Sequence, residues 1–221
     1  MKKFLGLILI SFMLLPFVVI KAEELKLAEN AKSAILLEPT TGEIIFEKNS
    51  HEKLHPASMT KMMSMLLIVE AIEKEIINWN EIVTVSENAA SMGGSQILLE
   101  VGEQMTVEDL VKGICIASGN DATVALAEKI GGSEAMFVDM MNQRAKELGL
   151  LDTNFKNPHG LDEANHYSSA YDMAMIAKEL VKHPKVLEYT SIYEDYLREN
   201  TDRKIWLVNT NKPVYKNYYS E

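Results

Sequence analysis

The sequence predicts an α+β chain in which an N-terminal β-hairpin precedes a buried central helix and a helical subdomain. Three observations carry this reading. Two short β-prone runs flank a turn; an apolar stretch with almost no polar face follows; and the hydrophobic segments downstream are punctuated by caps and glycines.

Ser33 to Glu38 and Glu43 to Glu47 are the β-prone runs, and Pro39-Thr40-Thr41-Gly42 between them supplies the turn chemistry of a hairpin. From Ser58 to Ile77 the apolar residues nearly encircle a helix, which places that helix inside the protein. Pro56 and Ser58 mark its first turn. Thr106 with Asp109 resembles a capping box, and Met105 with Leu110 a hydrophobic staple, for a helix that ends near Ala117. Further helices are predicted from about Asp121 to Ile130, stopped by Gly131-Gly132, and from a Ser133 cap to about Leu148, ended by Gly149. Asn157 to Gly160 reads as a turn. Ser169 with Asp172 starts one more helix, which stops before Pro184, and Ile205 to Val208 reads as a strand or buried segment. The methionines, thirteen in all, read as core filler.

Met1-Lys2-Lys3, the apolar stretch Phe4 to Ile20 and Lys21-Ala22 before Glu23-Glu24 have the layout of a secretory signal peptide cleaved after Ala22. The alternative is an uncleaved anchor, although Pro16 interrupts the run and the run is short for a spanning helix. The expected domains are thus a signal peptide over 1–22 and one domain over 23–221, exported to the outer face of the membrane or the cell wall. Removing 1–22 deletes three lysines and no acids, which takes the formal charge from −10 to −13. A chain this acidic is a poor partner for nucleic acid or anionic lipid. A single cysteine, Cys115, excludes an internal disulfide and sits in an apolar run as a buried thiol. The five histidines show no paired ligand spacing, so neither a metal nor a cofactor is expected.

Ser58-Met59-Thr60-Lys61 carries the chemistry. Residues three apart on a helix share a face, so the Lys61 amine can reach the Ser58 hydroxyl and activate it without a histidine. The helix N-terminus also favours negative charge there. Sixty residues on, Ser118-Gly119-Asn120 lies between two helices, where Gly119 permits a tight loop and a hydroxyl and an amide can point into one cleft. Taken alone, that segment also reads as a polar connection with Asn120 as a helix cap.

Together the two motifs resemble the penicillin-binding protein and serine β-lactamase superfamily, with its β-lactamase/transpeptidase-like fold. Ala34 to Glu38, Pro56 to Lys61, Ala117 to Ala122, Asn157 to Asp162 and Asn165 to Ala174 are similar to the low-molecular-weight D-alanyl-D-alanine carboxypeptidases, from about residue 31 to about residue 212. The resemblance implies a serine acyl-enzyme mechanism on peptidoglycan stem peptides ending in D-Ala-D-Ala, blocked by β-lactams. In that scheme Ser58 is the nucleophile and Lys61 the base in acylation, which requires it to be at least transiently neutral, and burial lowers its pKa in that direction. Ser118 passes a proton to the leaving amine, Asn120 binds the substrate amide, and backbone N–H groups including that of Ser58 hold the oxyanion. His159 and Asp172 fall in matched segments; His159 reads equally as catalytic or loop-stabilising, and Asp172 as a helix-start cap.

The family's third element, Lys-Thr-Gly on a strand lining the cleft, does not occur in the 221 residues, and the match fades after Val208 to Lys212. The expectation is therefore a truncated domain that lacks the C-terminal sheet strands and folds loosely, with the Ser58 helix short of cover. A β-lactamase of the same fold and a non-catalytic exported remnant are the competing readings. The sequence leaves membrane attachment open.

Overall fold

The computed structural model of the protein describes residues 27–211. Two units separate, Met1–Asn30 and Ala31–Glu221. Of the first only a bend and turn at 27–30 is described; every named element lies in the second. Residues 1–22, expected to be a signal peptide, and the residues after Asn211 fall outside the described residues. No helix among the described residues is long and apolar enough to cross a membrane.

β1 (Ala34–Leu37) and β2 (Ile44–Lys48) pair antiparallel as the predicted hairpin, with a register shift between Leu36 and Leu37. Gly42 closes the turn at φ +80°, a value that suits glycine. The hairpin packs on α6 (Ala170–Leu180), while Leu36, Ile44 and Ile45 face outward. A 3-10 turn, Ala57–Thr60, then runs directly into α1 (Lys61–Glu73).

α1 is the centre of the core. Met63, Leu66 and Ile68 are fully buried, and Met65, Leu67, Val69 and Ala71 nearly so. The expectation that this helix is short of cover is corrected: α4 (Asn120–Gly131), α5 (Glu134–Glu147) and α6 enclose it. Helices that follow it in sequence, not sheet strands, exclude water from most of its surface. Arg144 of α5 adds a polar clamp by donating to the Glu70 carboxylate at 2.7 and 3.1 Å. The helix also ends at Glu73, four residues before Ile77, because Glu75 turns left-handed at φ +57°. Ile77 is buried below the turn and Ile76 is exposed.

β3 (Ile82–Thr84) and β4 (Gln104–Thr106) form a second hairpin bracketing α2 (Glu87–Ala90). α3 (Val107–Ala117) starts with the Asp109 N–H donating to the Thr106 hydroxyl at 3.0 Å, which makes Thr106 the predicted N-cap. Met105 and Leu110 are both buried beside it. The Ser133 and Ser169 hydroxyls cap α5 and α6 in the same way. α7 (Pro184–Thr190) begins with proline at its first turn, so Pro184 starts a helix as well as ending the previous one. β5 (Glu194–Leu197) and β6 (Ile205–Val208) form a third hairpin against α3. Arg198, at its turn, donates to the Ile97 carbonyl at 2.9 Å and pairs with Glu103, tying this hairpin to the loop before β4.

The methionine reading holds only in part. Met63, Met65, Met105, Met141 and Met173 are buried, whereas Met59, Met136 and Met140 are exposed.

Candidate active site

Ser58 lies in the 3-10 turn and not in α1 itself, which sharpens the helical expectation. Side chains three apart eclipse in a 3-10 helix, so Lys61 is brought over Ser58 more directly than α-helical spacing would do. Lys61 Nζ donates to Ser58 Oγ at 3.2 Å and to the His159 carbonyl at 2.7 Å. Ser58 is exposed while Lys61 is only 5% exposed. Burial pulls the Lys61 amine down from its usual 10.5 to about 8. An exposed hydroxyl beside a buried amine whose proton affinity is lowered has the geometry and electrostatics that a nucleophile–base pair requires.

The loop from Thr153 to Ser168 holds that pair from behind. Leu54, just ahead of the turn, bridges Ser168, and Asn154 bridges Tyr167. Asn142 of α5 pairs with both backbone groups of Phe155 at 2.8 and 2.9 Å. Ser64 of α1 donates to the Pro158 carbonyl at 2.6 Å. Asn157 Oδ1 accepts from the Gly160 N–H at 2.7 Å, and Gly160 turns at φ +88°. His159 sits inside this frame. Its Nδ1 accepts from the Leu161 N–H at 3.2 Å and its Nε2 lies 3.5 Å from Glu134. That contact outweighs burial and holds the Glu134 carboxyl below its usual range, with Asn88 assisting. Of the two readings for His159, the geometry supports the loop-stabilising one. Asp172 is not the cap of α6, a correction: Ser169 caps, and the buried Asp172 carboxylate accepts from the Asp152 N–H at 2.8 Å and the Thr153 hydroxyl at 2.7 Å.

Ser118 ends α3 in the left-handed conformation at φ +57°. Gly119 has φ −60°, so a positive φ is not what the motif needs from its glycine. A Cβ there would stand 3.0 Å from Asp121 Oδ1 and 3.4 Å from Ile97, so close approach is the reason. Gly119, not Asn120, is the N-cap of α4. Asn120 is buried; its N–H donates to the Ser95 carbonyl and its side-chain amide to the Gly93 carbonyl, both at 2.7 Å. Asp121 fastens the same loop by accepting from the Ile97 and Leu99 N–H groups at 3.0–3.1 Å. A Cβ on Gly94 would meet Asn120 Nδ2 at 2.8 Å and Leu161 at 3.6 Å, so the 93–95 strip, Asn120 and the 157–161 loop converge.

Two of the four expected site residues, Ser58 and Lys61, are thus in direct contact, and Asn120 approaches the 157–161 loop through Gly94. No hydrogen bond joins Ser118 or Asn120 to Ser58 or Lys61 among the described residues, and Asn120 Oδ1 is buried without a partner. Cys115 is partly buried, not fully buried as expected, and burial pushes its thiol up to about 12. No group of three or more potential metal ligands occurs among the described residues.

A helical subdomain around a central helix, entered through a Ser-x-x-Lys turn, is the arrangement of the transpeptidase-like class of penicillin-binding proteins. The solved structure of the D-alanyl-D-alanine carboxypeptidase DacD from Francisella tularensis superposes at a TM-score of 0.79 with 33% identity, over 88% of this chain and 47% of that one. Penicillin binding protein 5 from Haemophilus influenzae gives 0.79 and 34%, over 85% of this chain and 54% of that one. DacF of Bacillus subtilis, a D-alanyl-D-alanine carboxypeptidase, is 58% identical over 220 residues, which is 97% of this chain and 57% of DacF. The family model for D-alanyl-D-alanine carboxypeptidases matches residues 20–221. The chain belongs to the D-alanyl-D-alanine carboxypeptidase family. It spans about half the length of the curated relatives it matches.

Proposed function

We propose that the protein is a serine-type D-Ala-D-Ala carboxypeptidase that trims peptidoglycan stem peptides and is acylated by β-lactams. The observation that carries this reading is the buried Lys61 amine 3.2 Å from the exposed Ser58 hydroxyl, with its proton affinity lowered to about 8, on the fold of this family. In the neutral state Lys61 takes the Ser58 proton as Oγ attacks the carbonyl carbon of the penultimate D-alanine. The C–N bond breaks, the terminal D-alanine leaves with a proton on its amine, and water later hydrolyses the acyl-serine. In this reading the Ser118 hydroxyl, between the helices α3 and α4, relays the proton to the leaving amine, and Asn120 receives the substrate amide. The Ser58 N–H, in the turn, is one oxyanion donor.

Fluorescent penicillin tests the reading. The protein is expected to take one label per chain and Ser58→Ala none. Equal labelling of the two, or a folded wild-type sample that takes no label, overturns it. A β-lactamase would instead release the label within minutes.

The Phe4–Ile20 segment and its flanks support export, with the domain acting on the wall side of the membrane. N-terminal sequencing of the secreted protein is expected to begin at Glu23; a chain recovered with Met1 in place argues for an anchor.

A further inference from the structure

Thr60 and His166 are 106 residues apart in sequence, yet Thr60 Oγ1 lies 2.8 Å from His166 Nε2, and the two are 0% and 1% exposed. The tautomer follows from the other ring nitrogen. The Lys156 N–H points at His166 Nδ1 at 3.0 Å; a backbone N–H can only donate, so Nδ1 accepts and the proton of the neutral ring is on Nε2. The ring therefore donates to the Thr60 hydroxyl. Its orientation is set by an edge contact with Phe155 at 6.0 Å and by the His166 N–H donating to the Glu163 carbonyl at 3.0 Å. On another side of the same hydroxyl, a Cβ on Gly160 would come within 3.0 Å of Thr60 Oγ1. Thr60 is thus gripped at a point between Ser58 and Lys61.

We propose that His166 is a positioning residue for the reaction: as the Nε2-protonated neutral ring, it holds Thr60 and with it the turn that presents Ser58 to Lys61. The proposal rests on the reading of Ser58 as nucleophile given above. It also makes the turn sensitive to acid. Protonation would place a second donor on Nδ1 against the Lys156 N–H. Burial chiefly keeps the ring neutral, lowering it from its usual 6.5. Glu163 opposes that, His159 and His55 add to it, and Asp162 opposes it. Because the folded value is depressed, the grip is fully present above pH 6.5 and is lost as pH falls from there through the lower folded value.

Two variants of the full chain separate positioning from bulk. In His166→Asn the side-chain oxygen can still take the Lys156 N–H but cannot reach Thr60. In His166→Gln the amide reaches Thr60 and does not titrate. The readouts are hydrogen exchange of the backbone amides of 57–61 and the rate of fluorescent penicillin labelling. His166→Asn is expected to exchange faster across 57–61 and to label about tenfold more slowly at pH 7.5. His166→Gln is expected to match the wild type there and to outpace it increasingly below pH 6. A His166→Asn turn that exchanges and labels like wild type overturns the proposal. So does a His166→Gln variant as impaired as His166→Asn, or a ratio of wild type to His166→Gln that stays flat with pH. Absence of Ser58-dependent labelling in the wild type sinks the acyl-enzyme reading instead, and exchange then decides by itself whether His166 holds the turn.

Discussion

Lys61→Met is expected to reduce penicillin acylation of Ser58 on the order of a thousandfold while making the protein more stable. The loss follows from removing a positioned general base, an effect worth about 10²–10⁴-fold. The gain follows from linkage. Folding lowers the amine from 10.5 to about 8, so the unfolded chain binds more protons between those values and stability rises with pH across that window. At pH 7 the buried ammonium therefore costs about 3 kcal/mol, less what its bonds to Ser58 and the His159 carbonyl return. Methionine removes the charge at similar length. A net gain of about 1–2 kcal/mol at pH 7, shrinking above pH 8 and reversing before pH 10.5 as the wild type recovers about 3 kcal/mol, is expected in chemical denaturation. Lys61→Arg separates the two effects, because a guanidinium stays charged at every accessible pH. It should be as inactive as methionine without the gain in stability. The wild-type labelling rate should climb as pH rises toward about 8 and then level. A rate that is flat from pH 6 to 9, or a methionine variant that labels normally, removes Lys61 from the base role.

Gly160→Ala is expected to lower the melting temperature by about 6–12 °C, a cost of about 3 kcal/mol for a chain of this size. The added Cβ would stand 1.9 Å from the Ala57 carbonyl oxygen and 2.5 Å from its carbon. Both are backbone atoms of the Ala57–Thr60 turn, so no flexible side chain can swing aside. The φ of +88° adds strain for any residue with a Cβ. Either the 157–161 loop lifts, taking the His159 carbonyl from Lys61, or the turn moves. Labelling should fall with the melt. A thermal scan by circular dichroism that coincides with wild type would show that the loop accommodates a methyl group.

Much of the fold was legible because its signals are local. The Pro39–Gly42 turn, the Thr106, Ser133 and Ser169 caps and the glycine stops at 131–132 and 149 each act within a few residues, and the structure places them as expected. The three-residue strands β3 and β4, the one-turn helix α2 and strand β5 are too short to show a period, so pattern reading passes over them. The α7 helix was hidden by reading Pro184 only as a stop. In the site, Ser58 and Lys61 were legible from spacing. Gly93, Gly94 and Ser95, which meet Asn120, and Thr60, Gly160 and His166, which hold the turn, carry no spacing signal because their partners lie far along the chain.

The sequence by itself determined the family, the Ser58–Lys61 pair and the buried character of the central helix, since a three-residue spacing and an all-round apolar run need no partner to be read. Only the tertiary structure decided the rest. It made the Ser58 segment a 3-10 turn, buried Lys61 against the His159 carbonyl so that its proton affinity falls, and let α4, α5 and α6 cover α1. It also made His159 and Asp172 loop anchors, and it brought His166 to Thr60. Burial and hydrogen bonding between distant segments set these features, and no local pattern encodes where a loop a hundred residues away will come to rest.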